Sequence, residues 1–398
     1  MLGLLLARAG VQVTVLEKHG DFLRDFRGDT VHASTLTVLD ELGLAEEFTA
    51  LPTVRYLESL TAQLDAGEVT VSDLRWLPGR HQHIALVPQW DFLGLLAEAG
   101  RREPAYELVM NAEVTELLRE QERVVGVRYR RDGLDHDMIA DLVVACDGRD
   151  STVASAANLT PRQFGTPMDV EWFRLPRREH DPGNAIGRLT RDAVLVLIDR
   201  GDYFQIGYLI KKGADRVLRD AGIGAFRSRI ASALPWLADR VDTLTSFEDV
   251  KLLTVRLSRL RRWYADGLLI IGDAAHAMSP VGGVGINLAI QDALAAGRIV
   301  GPKLASRTLT RATLRRVQRR RWAPTALTQA LQRAAHRVLQ ARLSTAGTEQ
   351  AAATDLPLPA RLLRRFPILP AIPALLVGLG VLPEHAPPWA MSQVSKAR

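Results

Sequence analysis

At 398 residues, with 47% hydrophobic and 24% charged content, the chain has the composition of a folded globular protein long enough for two domains. A single cysteine excludes a disulfide framework and a cysteine-based zinc site, and it favours a reducing cytoplasm. The net charge of +6 would suit an anionic partner, yet the basic residues gather late, in "RATLRRVQRRRWAPTALTQALQRAAHRVLQARL", without any nucleic-acid-binding motif. Nucleic acid is not expected.

The opening "MLGLLLARAGVQVTVLEKH" predicts an apolar helix over residues 1–9 and a left-handed Gly10 at its end. A buried strand from Val11 to Leu16 follows and stops on Glu17. This is the second half of a βαβ unit, in which an acid after the second strand takes ribose hydroxyls. Such an acid stands about 20 residues after the first glycine of G-x-G-x-x-G. Counting back from Glu17 puts that glycine before Met1, so the first strand and phosphate loop are expected to be missing, with a gap in the sheet centre. No basic n-region or small-residue cleavage site accompanies the apolar start, so no signal peptide is expected.

"RGDTVHASTLTVLDELGL" predicts a helix with a Ser or Thr cap that ends at Gly43. Short alternating runs between 55 and 87 predict antiparallel strands, and "PQWDFLGLLAEAGRR" predicts a helix with Trp90, Leu93 and Leu96 toward the core. Residues 106–146 read as strands with an Asp-Gly turn, closing on "DLVVACDG", where Cys146 is expected to be a buried core thiol. From about 160 to 250 the pattern is mostly β, with one helix near "GAFRSRIASALPWLAD". The tail "LPARLLRRFPILPAIPALLVGLGVLPEHAPP" is apolar, but Pro367, Pro370 and Pro373 break it and it is too short to span a bilayer as a helix. It is expected to pack against the body.

Two segments carry chemistry. "DLVVACDGRDSTV" ends a buried strand on Asp147-Gly148 and starts a helix at Ser151; alone it is a turn more often than a site. "LLIIGDAAHAMSPVGGVGINLAIQDALAAGRIV" is more specific. A buried strand ends on Gly272-Asp273, Pro280 fixes a turn, and Gly282, Gly283 and Gly285 lead into a helix from about 286 to 297. Glycines at a helix N-terminus present free N–H groups to a negative oxygen, whether of a phosphate or of a reduced flavin.

Together, "EKHGDFLRDFRGDTVHASTL", "DLVVACDGRDSTV" and "GDAAHAMSPVGGVGINLAIQDA" resemble the class A flavoprotein monooxygenases with the para-hydroxybenzoate hydroxylase fold. The resemblance implies an α/β protein: a Rossmann-like FAD-binding domain, an inserted, mostly antiparallel sheet for substrate, and C-terminal helices. It divides the chain into FAD-binding segments 1–55, 84–158 and 251–345, substrate segments 56–83 and 159–250, and a helical tail, 346–398. It implies that Asp273 meets the ribityl chain, that Pro280 packs near the reactive edge of the ring, and that the amides from Gly283 through Gly285 and Ile286 to Asn287 face its N1 and O2 side. Gly272 shapes that turn, Asp147 and Gly148 match the family's Asp-Gly motif, and Glu17, Arg27 and Gln89 match positions that contact FAD.

The implied reaction uses NAD(P)H to reduce FAD, adds O2 at the flavin C4a, and passes one oxygen from the hydroperoxide to a small-molecule substrate. His83, Tyr203 and Gln205, on strands that could face the flavin, are the substrate-binding candidates. His276 is expected to serve loop packing rather than acid–base chemistry. The pocket is expected to take an apolar, aromatic or polyketide-like molecule, in a cytoplasmic monomer or homodimer without a metal or transmembrane segment. A halogenase should carry W-x-W-x-I-P, which is absent. A flavin reductase or dehydrogenase, and a flavin-free remnant lacking the phosphate loop, remain as alternatives.

Overall fold

The computed structural model describes residues 1–23, 30–182, 186–190, 192–345, 358–366 and 368–392. Arg27 lies outside them.

The Leu2–Arg8 helix buries Leu4, Leu5, Leu6 and Ala7, and Gly10 then takes φ +78°, so the chain turns at once into the Val13–Leu16 strand. That strand pairs in parallel with Tyr106–Val109. A second parallel ladder joins Val143–Ala145 to Leu268–Ile270, with Tyr264–Ala265 beyond it. Among the described residues no ladder connects the two pieces, and Val13, Val15, Val143 and Val144 all line the cleft between domains.

Behind this sheet runs the Gly285–Ala305 helix, longer than expected from the sequence, and against it lies the 35-residue Arg311–Thr345 helix. Gly297 lets the first of these approach the Leu2–Arg8 helix, since a Cβ there would sit 3.2 Å from Leu5. The Gln89–Arg101 helix buries Phe92, Leu95, Leu96 and Ala99, while Trp90 and Leu93 are only half-buried. Leu93 turns toward the cleft, so the core stripe is rotated from the one expected. The Ala33–Leu42 helix ends on Gly43 at φ +73° as the pattern required, but its N-cap is His32, whose side chain makes no capping bond.

The second layer is a seven-stranded, mostly antiparallel sheet that gathers Ser59–Leu64 and Gly67–Asp73 with strands from Met168 to Leu253. It extends past residue 250, whereas Arg55–Leu57 pairs instead with Ile84–Leu86 in a separate small sheet. Successive strand residues point to opposite faces. Phe173, Leu175, Phe204, Ile206 and Tyr208 therefore pack on the Ile223–Ala233 helix, and Met168, Val170, Trp172, Gly207 and Leu209 face the cleft. The C-terminal Ala371–Gly378 helix lies on the body, with Ala374 in a cluster with Leu74, Leu77 and Ile84. Among the described residues no helix is long and apolar enough to cross a membrane.

On the helix side of the large sheet, Glu171 is 1% exposed, and neither carboxyl oxygen has a hydrogen-bond donor in reach. Burial first, and the neighbouring Asp215 carboxylate next, push its pKa up to about 8. Glu171 therefore keeps its proton at neutral pH. Because the folded pKa is raised, this contribution is fully present below the unfolded value near 4.5 and is lost as pH rises through about 8. Glu171→Gln, neutral throughout, should match the wild-type melting temperature at pH 5 and exceed it at pH 9. A wild-type melting temperature with no extra decline over that range would refute the raised Glu171 pKa.

Candidate active site

One cleft of about 2640 Å³ separates the split parallel sheet from the apolar face of the large sheet. Its floor is the segment after Leu268–Ile270. Gly272 turns at φ +61° and its amide donates to the Asp292 carboxylate (3.1 Å). Asp292 is fully buried and also meets His276 Nε2 and Arg321 Nε (2.9 Å). Burial opposes its ionisation, but His276 and Arg321 more than offset this and hold the carboxyl below the ordinary range. His276 is 1% exposed and lies beside the Trp263 ring (4.9 Å), so its position matches the packing role expected of it.

Beyond Pro280, Gly282 and Gly283 take φ +81° and +61°, and the Gly285–Ala305 helix begins without a side-chain cap. Gly285 and Ile286 border the cleft there, so the N-terminal amides of a 21-residue helix open toward it. Asn287 has another task. Its Oδ1 accepts from the His32 amide (2.9 Å) and Thr35 Oγ1 (2.8 Å), and its Nδ2 donates to the Thr30 carbonyl (2.9 Å) and the Gly283 carbonyl (3.2 Å). The side chain is fully used in tying the glycine loop to the segment before the Ala33–Leu42 helix.

Glu17, Gln89, Asp147, Gly148, Asp273, Pro280 and Gly283 all line the same cleft. Asp147 accepts from Ser151 Oγ (2.6 Å) and the Val153 amide (3.1 Å), so it orders the start of the Thr152–Ala156 helix. Gly148 sits at φ +85° with no heavy atom within 4 Å of a notional Cβ, which leaves open space above the turn.

Four sequence expectations need correction. Cys146 is exposed, because the strand that bears it opens into the cleft instead of a closed core. His83 lies outside the lining, with its ring 4.5 Å from that of Tyr56. Tyr203 lies at the far end of its strand under Arg174, 4.8 Å from its ring centre. Gln205 has the right face by alternation, but it is 3% exposed and accepts from Arg200 Nε (3.0 Å).

Two cleft residues escaped the sequence reading. His32 is 1% exposed with Nε2 lacking a partner, and burial pushes its pKa down to about 4, so it stays neutral. Trp172 lies flat beneath Gly207, where a Cβ would come within 3.0 Å of the indole, and its buried Nε1 has no acceptor.

These features fit FAD. A long cleft has a helix N-terminus and a positive-φ glycine turn at one end, orphaned polar atoms inside, and an apolar wall opposite. Such a floor and wall define a flavin-dependent oxidoreductase of two domains. A family profile described as FAD binding domain matches residues 1–329, and the chain belongs to that family, with the class A flavoprotein monooxygenase fold and FAD as its cofactor. It is 34% identical over 326 residues to 6-methylpretetramide 4-monooxygenase of Streptomyces rimosus, covering 80% of this chain and 77% of that protein. It is 29% identical to rifampicin monooxygenase of Streptomyces venezuelae, spanning 74% of this chain and 61% of that protein. The structure of the anhydrotetracycline hydroxylase OxyS of Streptomyces rimosus superposes with a TM-score of 0.71 at 24% identity, covering 96% of this chain and 73% of that one.

Proposed function

We propose that this FAD-dependent monooxygenase hydroxylates a flat, apolar, aromatic polyketide-like molecule with NAD(P)H and O2. The observation that carries the proposal is the apolar sheet wall of Met168, Val170, Trp172 and Leu209, which faces the glycine loop across one cleft. Bound FAD supplies the redox chemistry, accepting electrons from the reduced nicotinamide and activating O2. The chain's own residues position and shield. The amides at Gly285 and Ile286, with the helix dipole behind them, stabilise negative charge on the ring. Glu17, Gln89, Asp147 and Asp273 are the polar groups assigned to the rest of the cofactor, and Pro280 borders its reactive edge. The sheet wall excludes water and offers an aromatic substrate an apolar surface. This reading needs only the substrate, NAD(P)H and O2 as reactants, and the single cysteine supports a cytoplasmic setting.

The name of the S. rimosus relative supports a tetracyclic aromatic polyketide as the first substrate to try. Incubation under labelled O2 should yield a product heavier by one labelled oxygen atom, with stoichiometric NAD(P)H oxidation. Reductant consumption with a reduced or desaturated product and no label would establish a reductase or dehydrogenase instead. A chain that binds no FAD would establish the flavin-free alternative.

A further inference from the structure

A second cavity, of about 520 Å³, lies between the Pro161–Phe164 strand with its following turn and the Arg311–Thr345 helix. Its chemistry is cationic. Arg162 and Arg259 stand directly opposite each other in the antiparallel ladder, a pairing of like charges that normally costs stability. Arg333 approaches from the helix, and the guanidinium carbons of Arg162, Arg259 and Arg333 lie 5.3, 5.6 and 5.4 Å from the centre of the Phe164 ring. Arg337 joins Arg162 and Arg333 in the lining.

Elsewhere arginines such as Arg128, Arg240 and Arg320 are matched to carboxylates. Among the described residues Arg162, Arg333 and Arg337 have no carboxylate partner. Burial, then Arg162 and Arg333, disfavour the charged form of Arg259.

The cavity also holds a buried, unsatisfied polar atom. His336 lines it at 3% exposure, and Nδ1 has no hydrogen-bond partner. Its Nε2 lies 2.8 Å from Ser279 Oγ, which also accepts from the Val281 amide (3.3 Å). Ser279 directly precedes Pro280 and also lines the main cleft, so His336 joins the two cavities.

We propose that this cavity binds a phosphate monoester, namely the 2′-phosphate of NADPH, between the forks of Arg162, Arg333 and Arg337. Guanidinium forks match phosphate oxygens two at a time. The volume is that of an ordinary small-ligand pocket. The naming of NADPH rests on the reductant assigned above; the site itself rests on the cluster.

Calorimetry at fixed ionic strength tests it, using adenosine 2′,5′-bisphosphate, 5′-AMP and inorganic phosphate as probes. The bisphosphate should bind the wild type best, with inorganic phosphate competing weakly. Arg162→Gln/Arg333→Gln should weaken the bisphosphate at least tenfold and raise the KM for NADPH, with kcat, the flavin spectrum and the KM for NADH unchanged. If circular dichroism shows that double variant unfolded, Arg337→Gln should still weaken binding several-fold. Wild-type affinity in a folded variant, or displacement of the bisphosphate by chloride as readily as by phosphate, would overturn the site. Equal affinity for inorganic phosphate and bisphosphate, with an unchanged KM for NADPH, would overturn NADPH as the source. Binding is read without turnover, so an inactive chain that binds the bisphosphate breaks only the monooxygenase reading, and an active one that ignores it breaks only this proposal.

Discussion

Asp292→Asn should destabilise the protein by about 3–5 kcal/mol, the usual loss when one partner of a buried ion pair is removed. The carboxylate is 0% exposed, Arg321 beside it is 1% exposed, and the next carboxylate, Glu384, is 3.8 Å from Arg321. Asparagine keeps the volume and can still accept from the Gly272 amide, so the loss reports the charge rather than a cavity. Arg321 Nη2 already lacks a partner, and the variant would strip Nε of its partner as well. Urea unfolding measures the difference, and a change below about 1 kcal/mol would mean that the guanidinium finds compensation elsewhere. Asp292→Leu/Arg321→Met removes both charges and should recover much of the loss, since two apolar side chains leave no buried ion behind. FAD affinity should fall in the single variant even where it is folded, because the Gly272 turn hangs on that carboxylate.

This network also shows what the sequence made legible. The apolar run before Gly272, the glycines after Pro280 and the helix behind them announce strand, turn and helix by local rules, and each is found there. Local pattern also gave the opening helix, the left-handed Gly10 and the strand that follows it. Other features depend on register between distant strands. Trp172 faces the cleft because it pairs with Gly207, and nothing in either strand's own pattern says which face will be the wall. The same register turned Gln205 toward Arg200 and left Tyr203 beyond the rim. Cys146 looked like core because its strand is apolar, but its outward neighbour is the opening of the sheet. The arginine cluster draws on residues 162, 259, 333 and 337, a convergence that no composition window reveals.

Gly283→Ala should weaken FAD binding by about 30-fold, or roughly 2 kcal/mol, and more than Gly282→Ala does. Both glycines have positive φ, so either alanine pays the left-handed penalty of about 1–2 kcal/mol. At Gly282 a Cβ meets only ordinary contacts, 3.5 Å from Val284 and 3.9 Å from Val377. At Gly283 it would lie 2.3 Å from Thr30 Oγ1, the atom that donates to the Gly283 carbonyl (2.9 Å). The loop must therefore move away from the Thr30 segment, and Asn287, bonded to both sides, must move or release one of them. That displacement turns the Gly285 and Ile286 amides from the place where ring charge is held. Thr30→Ala removes the obstructing oxygen, so Thr30→Ala/Gly283→Ala should bind FAD as well as Gly282→Ala does, leaving only the dihedral cost. Flavin fluorescence titration of the four proteins separates the two causes. Equal losses in Gly282→Ala and Gly283→Ala would show that backbone strain alone sets affinity and that Thr30 does not fix the loop.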